Sequence, residues 1–522
     1  MITSHGNFYF GGESMIDKEV LIANGVSSSY ADIVIKNLTE ISDYYNKYSG
    51  NQIWHTASGL DYIPTKKITN LIKKFVKKTT DYQFSIMPNF DVIPDQVDKD
   101  MGVLGYVQSS DQEAENLRAN AKERILKQIF KDNKFHTKLY KAALDCNIGG
   151  RIAIKLHFDR VDGLKIFFRP ATEFIAIYDE DDSDKLIKII YFNTLVNSDN
   201  KYLKRIKVQR WELINGKCIL NESIFNGKAN IVETLYTDYN SNLNFIPSIV
   251  VTNGGLSGEV NGESEVKDLW DNADLYNKLT SDDIDALKFQ MFAETIVTDA
   301  SPDSIRFLKV APGAVHDLVS DPSSNYQAEY KKVEATYNYD SRLEHTLERI
   351  KNDLHAIAEV PRLSVDLIKG LNTSGVALKM LYGEAISKVN RKNLEWVPAL
   401  ELMTICIFKM LETYKISAKQ LYGEDMNYID GNIQVQIKPI FPLPENEVER
   451  VNMVLEKVAA KVQSIKSAMA DLGIDNPELE LARIIEEQEI LDGSFKGRAM
   501  DEISNIDISN NDSTIDDEEV TE

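Results

Sequence analysis

Cysteine, histidine, positive charge and long apolar runs are all scarce in this sequence, and each shortage closes off a class of function. The three cysteines in 522 residues, Cys146, Cys218 and Cys406, form no CxxC pair and no disulfide framework. The seven histidines, His5, His55, His136, His157, His316, His345 and His355, show no HExxH and no Cys/His ligand spacing, so no zinc centre is expected. No stretch approaches the roughly 18 to 20 apolar residues that cross a bilayer. The N-terminus (MITSHGNFYFGGESMIDKEV) lacks a basic start followed by an apolar block. No membrane partner and a cytosol-like compartment are therefore expected. Lys and Arg number 59 against 81 acids, a formal charge of −22, a balance that opposes ordinary tight binding to duplex DNA. The last 22 residues, from Asp501, carry nine acids and no Lys or Arg, and the body remains acidic without them.

What is present describes a globular chain. Hydrophobic residues make up 43% and charged residues 27%, near the soluble average. The length allows about three or four domains. Behind a serine cluster, residues 28–47 place Ile33, Ile35, Leu38, Ile41 and Tyr44 or Tyr45 near helical spacing. Residues 65–80 predict a second helix, with Ile68, Leu71, Ile72, Phe75 and Val76 on one face. Lys66, Lys67, Lys73, Lys74, Lys77 and Lys78 fall mostly on the other. Those six lysines suit a phosphate or partner surface, and equally an ordinary solvated face. Residues 112–146 read as two helices broken near 132–134. From residue 151 the period changes. Segments 151–160, 164–169, 174–178, 187–192, 205–213 and 217–223 are short, rich in Ile, Phe and Tyr, and separated by turn residues. They predict a meandering, mainly antiparallel sheet and α+β organisation. The acidic turn at 179–184 is no EF-hand, since its sixth position is Asp184 rather than Gly and its twelfth is Ile190 rather than Glu. The Gly-rich stretch 254–262 (GGLSGEVNG) lacks the Gly-Lys-Ser/Thr of a phosphate loop.

Residues 263–298 contain no Gly or Pro and repeat Val266, Leu269, Trp270, Ala273, Tyr276, Ile284, Leu287, Met291 and Phe292 near the helical period. They predict one helix of about 54 Å, whose apolar stripe needs a companion. Residues 340–360, with Leu343, Leu347, Ile350, Leu354 and Ile357 on one stripe and Pro361 as the stop, supply it. Residues 299–339 between them are too short for an independent core. An irregular segment follows (RLSVDLIKGLNTS, 362–374), then a helical pattern at 375–414 that Pro398 should bend or break near 395–398. A strand at 433–441 and helices at 445–472 and 477–491 complete the ordered chain. The polar, acidic remainder from 492 is expected to be disordered.

This order of parts resembles the portal proteins of tailed bacteriophages, in the branch common in phages and prophages of Gram-positive bacteria. The resemblance rests on residues 245–297, with a Pro and Asn lead-in, a Gly/Ser stretch and a long helix carrying Tyr276, Asn277, Ser281 and Asp282. It rests further on LNTSGVALKMLYGEA (371–385), on YYNKYSGNQIW (44–54) followed by residues 63–78, and on IQVQIKPIFPLPENEVE (433–449). It implies a dodecameric ring at a capsid vertex around a DNA channel. On this chain the parts would be an N-terminal arm (1–27), a wing (28–262 with a return strand in 415–444) and a two-helix stem (263–298 and 340–360). A small α/β clip (299–339), a tunnel loop (361–374), a kinked tunnel helix (375–414) and a helical crown (445–491) would follow, ahead of the acidic tail (492–522).

The resemblance also implies partners and residues. The partners would be double-stranded DNA in the channel, a terminase docking on the clip, major capsid and scaffolding proteins around the wing, and a head-tail connector. A channel for moving DNA must hold it loosely, and carboxylates on the wall repel phosphates over about 8 Å at physiological salt. Asp268, Asp271, Asp274, Asp282, Asp283, Asp285, Glu344 and Glu348 are the candidates for that wall. Arg362, Ser364, Asp366, Lys369, Asn372, Thr373 and Ser374 would make weak contacts at the constriction. Arg306, Lys309, Tyr326, Tyr330, Lys331 and Lys332 would offer a docking surface on the clip. No cofactor and no catalysis are expected: a nuclease or NTPase needs carboxylates converging on Mg²⁺, whereas adjacent Asp282, Asp283 and Asp285 point to different sides of a helix. A head-to-tail adaptor is the other ring-forming reading, and the length and paired helices favour a portal.

Overall fold

The computed structural model describes residues 16–54, 62–95, 110–195, 205–226, 229–256, 258–291, 294–306, 308, 317–333, 340–362, 379–442, 447–474 and 480–488. The chain divides into two units, residues 1–372 with 379–442, and residues 373–378 with 443–522.

The first unit opens with helices α1 (Lys18–Ala23) and α2 (Ser28–Tyr48). The Ser27 hydroxyl accepts the Tyr30 amide and caps α2, as the serine cluster predicts. Val34, Leu38, Ile41, Tyr44 and Tyr45 are buried. Ile33 is exposed, because it sits 100° around the helix from Val34. Helix α3 runs Leu71–Phe84, so the helix expected from residue 65 starts one and a half turns later. Helices α4 (Ser110–Asn133) and α5 (Phe135–Gly149) part at Lys134, whose φ of 50° breaks the helical path where the sequence predicts it.

The strands form antiparallel sheets. β2 (Arg151–Asp159) lies between β3 (Gly163–Pro170) and β9 (Ser248–Thr252). Its residues 151–156 are buried without alternation, which explains the unbroken RIAIKL run. The other sheet is a sequential meander of β4 (Phe174–Tyr178), β5 (Leu186–Leu195), β6 (Arg205–Ile214), β7 (Lys217–Asn226) and β8 (Ile231–Asn240). Asn215 and Gly216, both at positive φ, make the two-residue β6–β7 turn. The acidic β4–β5 tip bonds to itself: Asp179 accepts the Asp181 amide, Asp182 accepts the Asp184 amide, and Lys185 pairs with Asp179 at 3.0 Å. Strand β1 (Asn89–Ile93), which the sequence reading lacked, pairs with β12 (Gln434–Lys438).

Helix α6 covers Glu265–Met291. The single helix expected to residue 298 is thus corrected: residues 294–298 form β10 (Glu294–Thr298), paired with β11 (Glu329–Val333). Thr295, Ile296, Val297 and Thr298 are β-branched and favour the strand. Beyond β10 lies the short α7 (Pro302–Arg306). Helix α8 (Asp340–Ala358) packs on α6 and ends as predicted, with Glu359 in the left-handed region just ahead of Pro361.

Helix α9 (Gly383–Thr413) passes through Pro398 without interruption, so of the bend or break expected there the chain does not break. Proline removes the bond to the carbonyl of Leu394. Leu394 is 75% exposed, while Trp396, Leu400, Met403, Ile407 and Leu411 on the opposite side are buried. These side chains join the main core with α3, α5, β2, β3 and β9; Trp396 meets Phe84 edge-on at 5.1 Å. A second cluster joins α1 and α2 to β4, β5 and β6. Helix α10 (Lys415–Tyr422) leads toward β12.

In the second unit the predicted helix at 445–472 is two helices, α11 (Glu447–Ala459) and α12 (Ile465–Asp471). Lys461 at φ 56° ends the first, and the Ser464 hydroxyl accepts the Ser467 amide at the start of the second. Val454 and Ala468 are buried. A further helical stretch covers 480–488, and the tail from 492 lies outside the described residues.

Candidate functional site

Helix α6 is held by a segment that the sequence pattern had made helical. Residues 65–69 run antiparallel to it, with alternate amides aimed at its side chains. The Thr65 N–H donates to Asp285 Oδ2 at 2.8 Å, the Lys67 N–H to Ser281 Oγ at 3.0 Å, and the Thr69 N–H to Asn277 Oδ1 at 2.8 Å. Two extended residues advance about 6.7 Å and four helical residues 6.0 Å, so every second amide meets one side chain per turn. Asn277, Ser281 and Asp285 are buried under this strap. Burial alone would raise the Asp285 carboxyl, but the Thr65 hydroxyl and amide and the Lys288 ammonium outweigh it and hold the group below its ordinary range.

The eight carboxylates expected on one wall therefore separate. Asp285 faces inward. Asp274 is engaged too: it pairs with the buried Lys47 and accepts the Trp270 indole N–H at 3.1 Å. Asp285 is buried and Asp274 partly exposed, and each is paired with a lysine of its own chain. Asp283 is half-buried, and Asp268, Asp271 and Asp282 are exposed on the face of α6 turned away from Leu269, Ala273 and Asn277. On α8, Glu344 is exposed and Glu348 pairs with Arg362. Arg362 also donates to Asn352 Oδ1 at 2.6 Å, so it lies on α8. Ser364, Asp366, Lys369, Asn372, Thr373 and Ser374 lie outside the described residues.

Of the expected docking residues, Arg306 ends α7 and is exposed, and Tyr326 is 76% exposed. Tyr330, Lys331 and Lys332 stand on β11 opposite Val297, Ile296 and Thr295. Lys309 lies outside the described residues.

Sequence reasoning missed a charged cluster where α6 begins. Glu265 accepts from Lys388 at 2.8 Å and Lys392 at 2.6 Å. Lys392 also donates to Asn147 Oδ1 at 2.8 Å and to Asn253 Oδ1, and Lys388 to the Ala358 carbonyl at 2.9 Å. Burial opposes the Glu265 charge, and the two ammonium groups overcome it, holding the carboxyl well below its usual range. The cluster thus fastens α9 to the start of α6, the end of α8, α5 and the loop after β9. The only local signal is the Lys388/Lys392 spacing of one helical turn, which names no partner.

Among the described residues no three His, Cys, Asp or Glu side chains converge as metal ligands. The three thiols are buried, and burial pushes Cys146 up to about 12, far from a nucleophilic thiolate. Among the described residues no helix is long and apolar enough to cross a membrane.

The family model described as "Phage portal protein, SPP1 Gp6-like" matches residues 31–492. The chain belongs to this family. The family is a structural one of the virion. Two solved assemblies are similar in outline. A chain of the "Virion of native gene transfer agent (GTA) particle" shares 9% identity, with 84% of this chain and 94% of that one covered and a TM-score of 0.39. A chain of the "Neck of empty GTA particle computed with C6 symmetry" shares 11% identity, with 81% and 98% covered and a TM-score of 0.37. No curated protein matches the chain.

Proposed function

We propose that copies of this chain close into a ring, a dodecamer by family expectation, at one capsid vertex, and that double-stranded DNA is packaged and ejected through its bore. The family match over residues 31–492 carries this reading. The α6–α8 hairpin is the stem, the β10–β11 element is the clip on which a terminase and then a connector dock, and the sheets form the wing that meets capsid and scaffolding proteins. The motor chemistry belongs to the terminase, and this chain is its fixed seat. Of the two outward faces of the hairpin, that of α8 is assigned to the bore. It carries Glu344, Glu348 and the Arg362 contact, and the chain continues from it directly into the proposed tunnel loop, 361–374. Carboxylates there repel phosphates within a Debye length and keep the duplex centred without holding it. Within the loop sequence the cations are Arg362 and Lys369, and Lys369 is the residue assigned a weak contact with the DNA backbone. Negative-stain images of the purified protein test the ring: annuli with a central hole are expected, and a compact monomer overturns the reading.

A further inference from the structure

The α3 region carries an excess of positive charge that no salt bridge among the described residues balances. Lys73, Lys74, Lys77 and Lys78 occupy the outward side of α3, opposite buried Ile72, Val76, Thr79 and Gln83, and Lys66 and Lys67 extend the row along the strap. All six are exposed, and none forms a salt bridge among the described residues. Lys73 lies over the Tyr48 ring at 5.6 Å and Lys78 over Tyr82 at 4.9 Å, contacts that orient the side chains. The one acid of the helix, Asp81, accepts the Tyr140 hydroxyl at 2.7 Å. Lysines one turn apart repel each other, so the row costs stability unless something acidic covers it.

The same layer of the molecule shows the opposite charge on another side. Asp268, Asp271 and Asp282 are exposed on α6, outnumbering the exposed Lys278 on the same face, and likewise form no salt bridge among the described residues. The strap puts Lys67 at the level of Ser281, one residue from Asp282. The helix nevertheless turns Asp282 about 100° away from Ser281, and the described residues form no pair between the two sets within one chain. A head-to-tail neighbour can form such pairs. In a closed ring each copy offers one surface and receives the other, leaving neither free. The net charge of −22 makes copies repel one another, which a local basic surface at the contact offsets.

We propose that the lysine row of residues 66–78 docks on the acidic α6 face, Asp268, Asp271 and Asp282, of the neighbouring copy, and that this contact governs closure of the ring. The inference rests on the ring reading above. It is tested with full-length protein by mass photometry and negative stain, with thermal unfolding as the folding control. Wild-type rings dissociate as salt rises, because exposed pairs are screened. Reversal of one side, K73E/K74E/K77E/K78E or D268K/D271K/D282K, raises the concentration needed for rings about a hundredfold, with unfolding unchanged. Combining both sets in one chain restores rings, and Arg at the four lysine positions preserves them. A folded reversed variant that assembles like wild type overturns the proposal, as does a folded combined variant that stays monomeric. If the lysine variant assembles normally but binds duplex DNA less, the row is a phosphate contact and the proposal is wrong. If wild type itself forms no ring, it is the function proposed above that fails.

Discussion

The two ends of α6 are built on different terms. At its start, Glu265 is enclosed with Lys388 and Lys392, and Val266, Leu269 and Ala273 are buried against the same chain. Toward its other end Leu287, Phe289 and Met291 are exposed, as is Ile296 on the strand beyond. The first end is complete in one subunit; the second offers apolar surface that one subunit leaves uncovered, as surfaces do where partners join. The difference separates an end closed by charge and packing within the subunit from one that leaves apolar side chains exposed.

The comparison breaks most sharply at Glu265. Replacing it with Ala leaves two ammonium groups enclosed without their counter-charge, and a loss of about 3–5 kcal/mol is expected in denaturant unfolding. An unchanged midpoint would show that the near end is not the anchor described here. Along the strap, Asn277→Ala and Ser281→Ala each strand one enclosed amide, for a loss of about 1–3 kcal/mol; a loss confined to one of them would show that the rungs are unequal. Asp285 adds a dependence on pH. Its carboxyl is held below the ordinary 3.8, so its contribution is full above that value and fades as pH falls through the lower folded-state value. Asp285→Asn is expected to be less stable near neutrality and to show a flatter acid limb in unfolding followed from pH 6 to pH 2. An acid limb identical to wild type would remove Asp285 from the fastening. The smallest effect on the subunit belongs to the far end: Leu287→Ser with Met291→Ser is expected to shift unfolding by under about 0.5 kcal/mol while lowering ring yield. A large loss of subunit stability would mean that this end, too, is finished within one chain.

Much of this was legible in the sequence wherever the signal was local. The strands from 151 to 226 announced themselves by length and turn chemistry, and α2 by its capping serine and stripe. The exposed strand β8, the short β1 and β9, and the strap were not recognised as such. Residues 65–70 carry apolar spacing that imitates a helix, while their amides are satisfied by side chains more than 200 positions away, which no local pattern records. The candidate site was legible as composition and not as geometry. An aspartate at 274 or 285 looks like one at 271 or 282; only the packing of Lys47 and Thr65 separates the enclosed from the free. Pro398 carried a similar ambiguity, since a proline inside a helix can bend it or break it, and here the helix runs on.

The strap on α6 also works as a vernier. Its repeat outruns that of the helix by about 0.7 Å at each rung, so the two scales coincide over a short interval and then drift out of hydrogen-bonding reach. Three rungs are about what such a mismatch tolerates. A slip by one residue would turn every amide away from α6, and a slip by two would leave a rung unmatched at one end, so the mismatch itself selects a single alignment of the strap against α6.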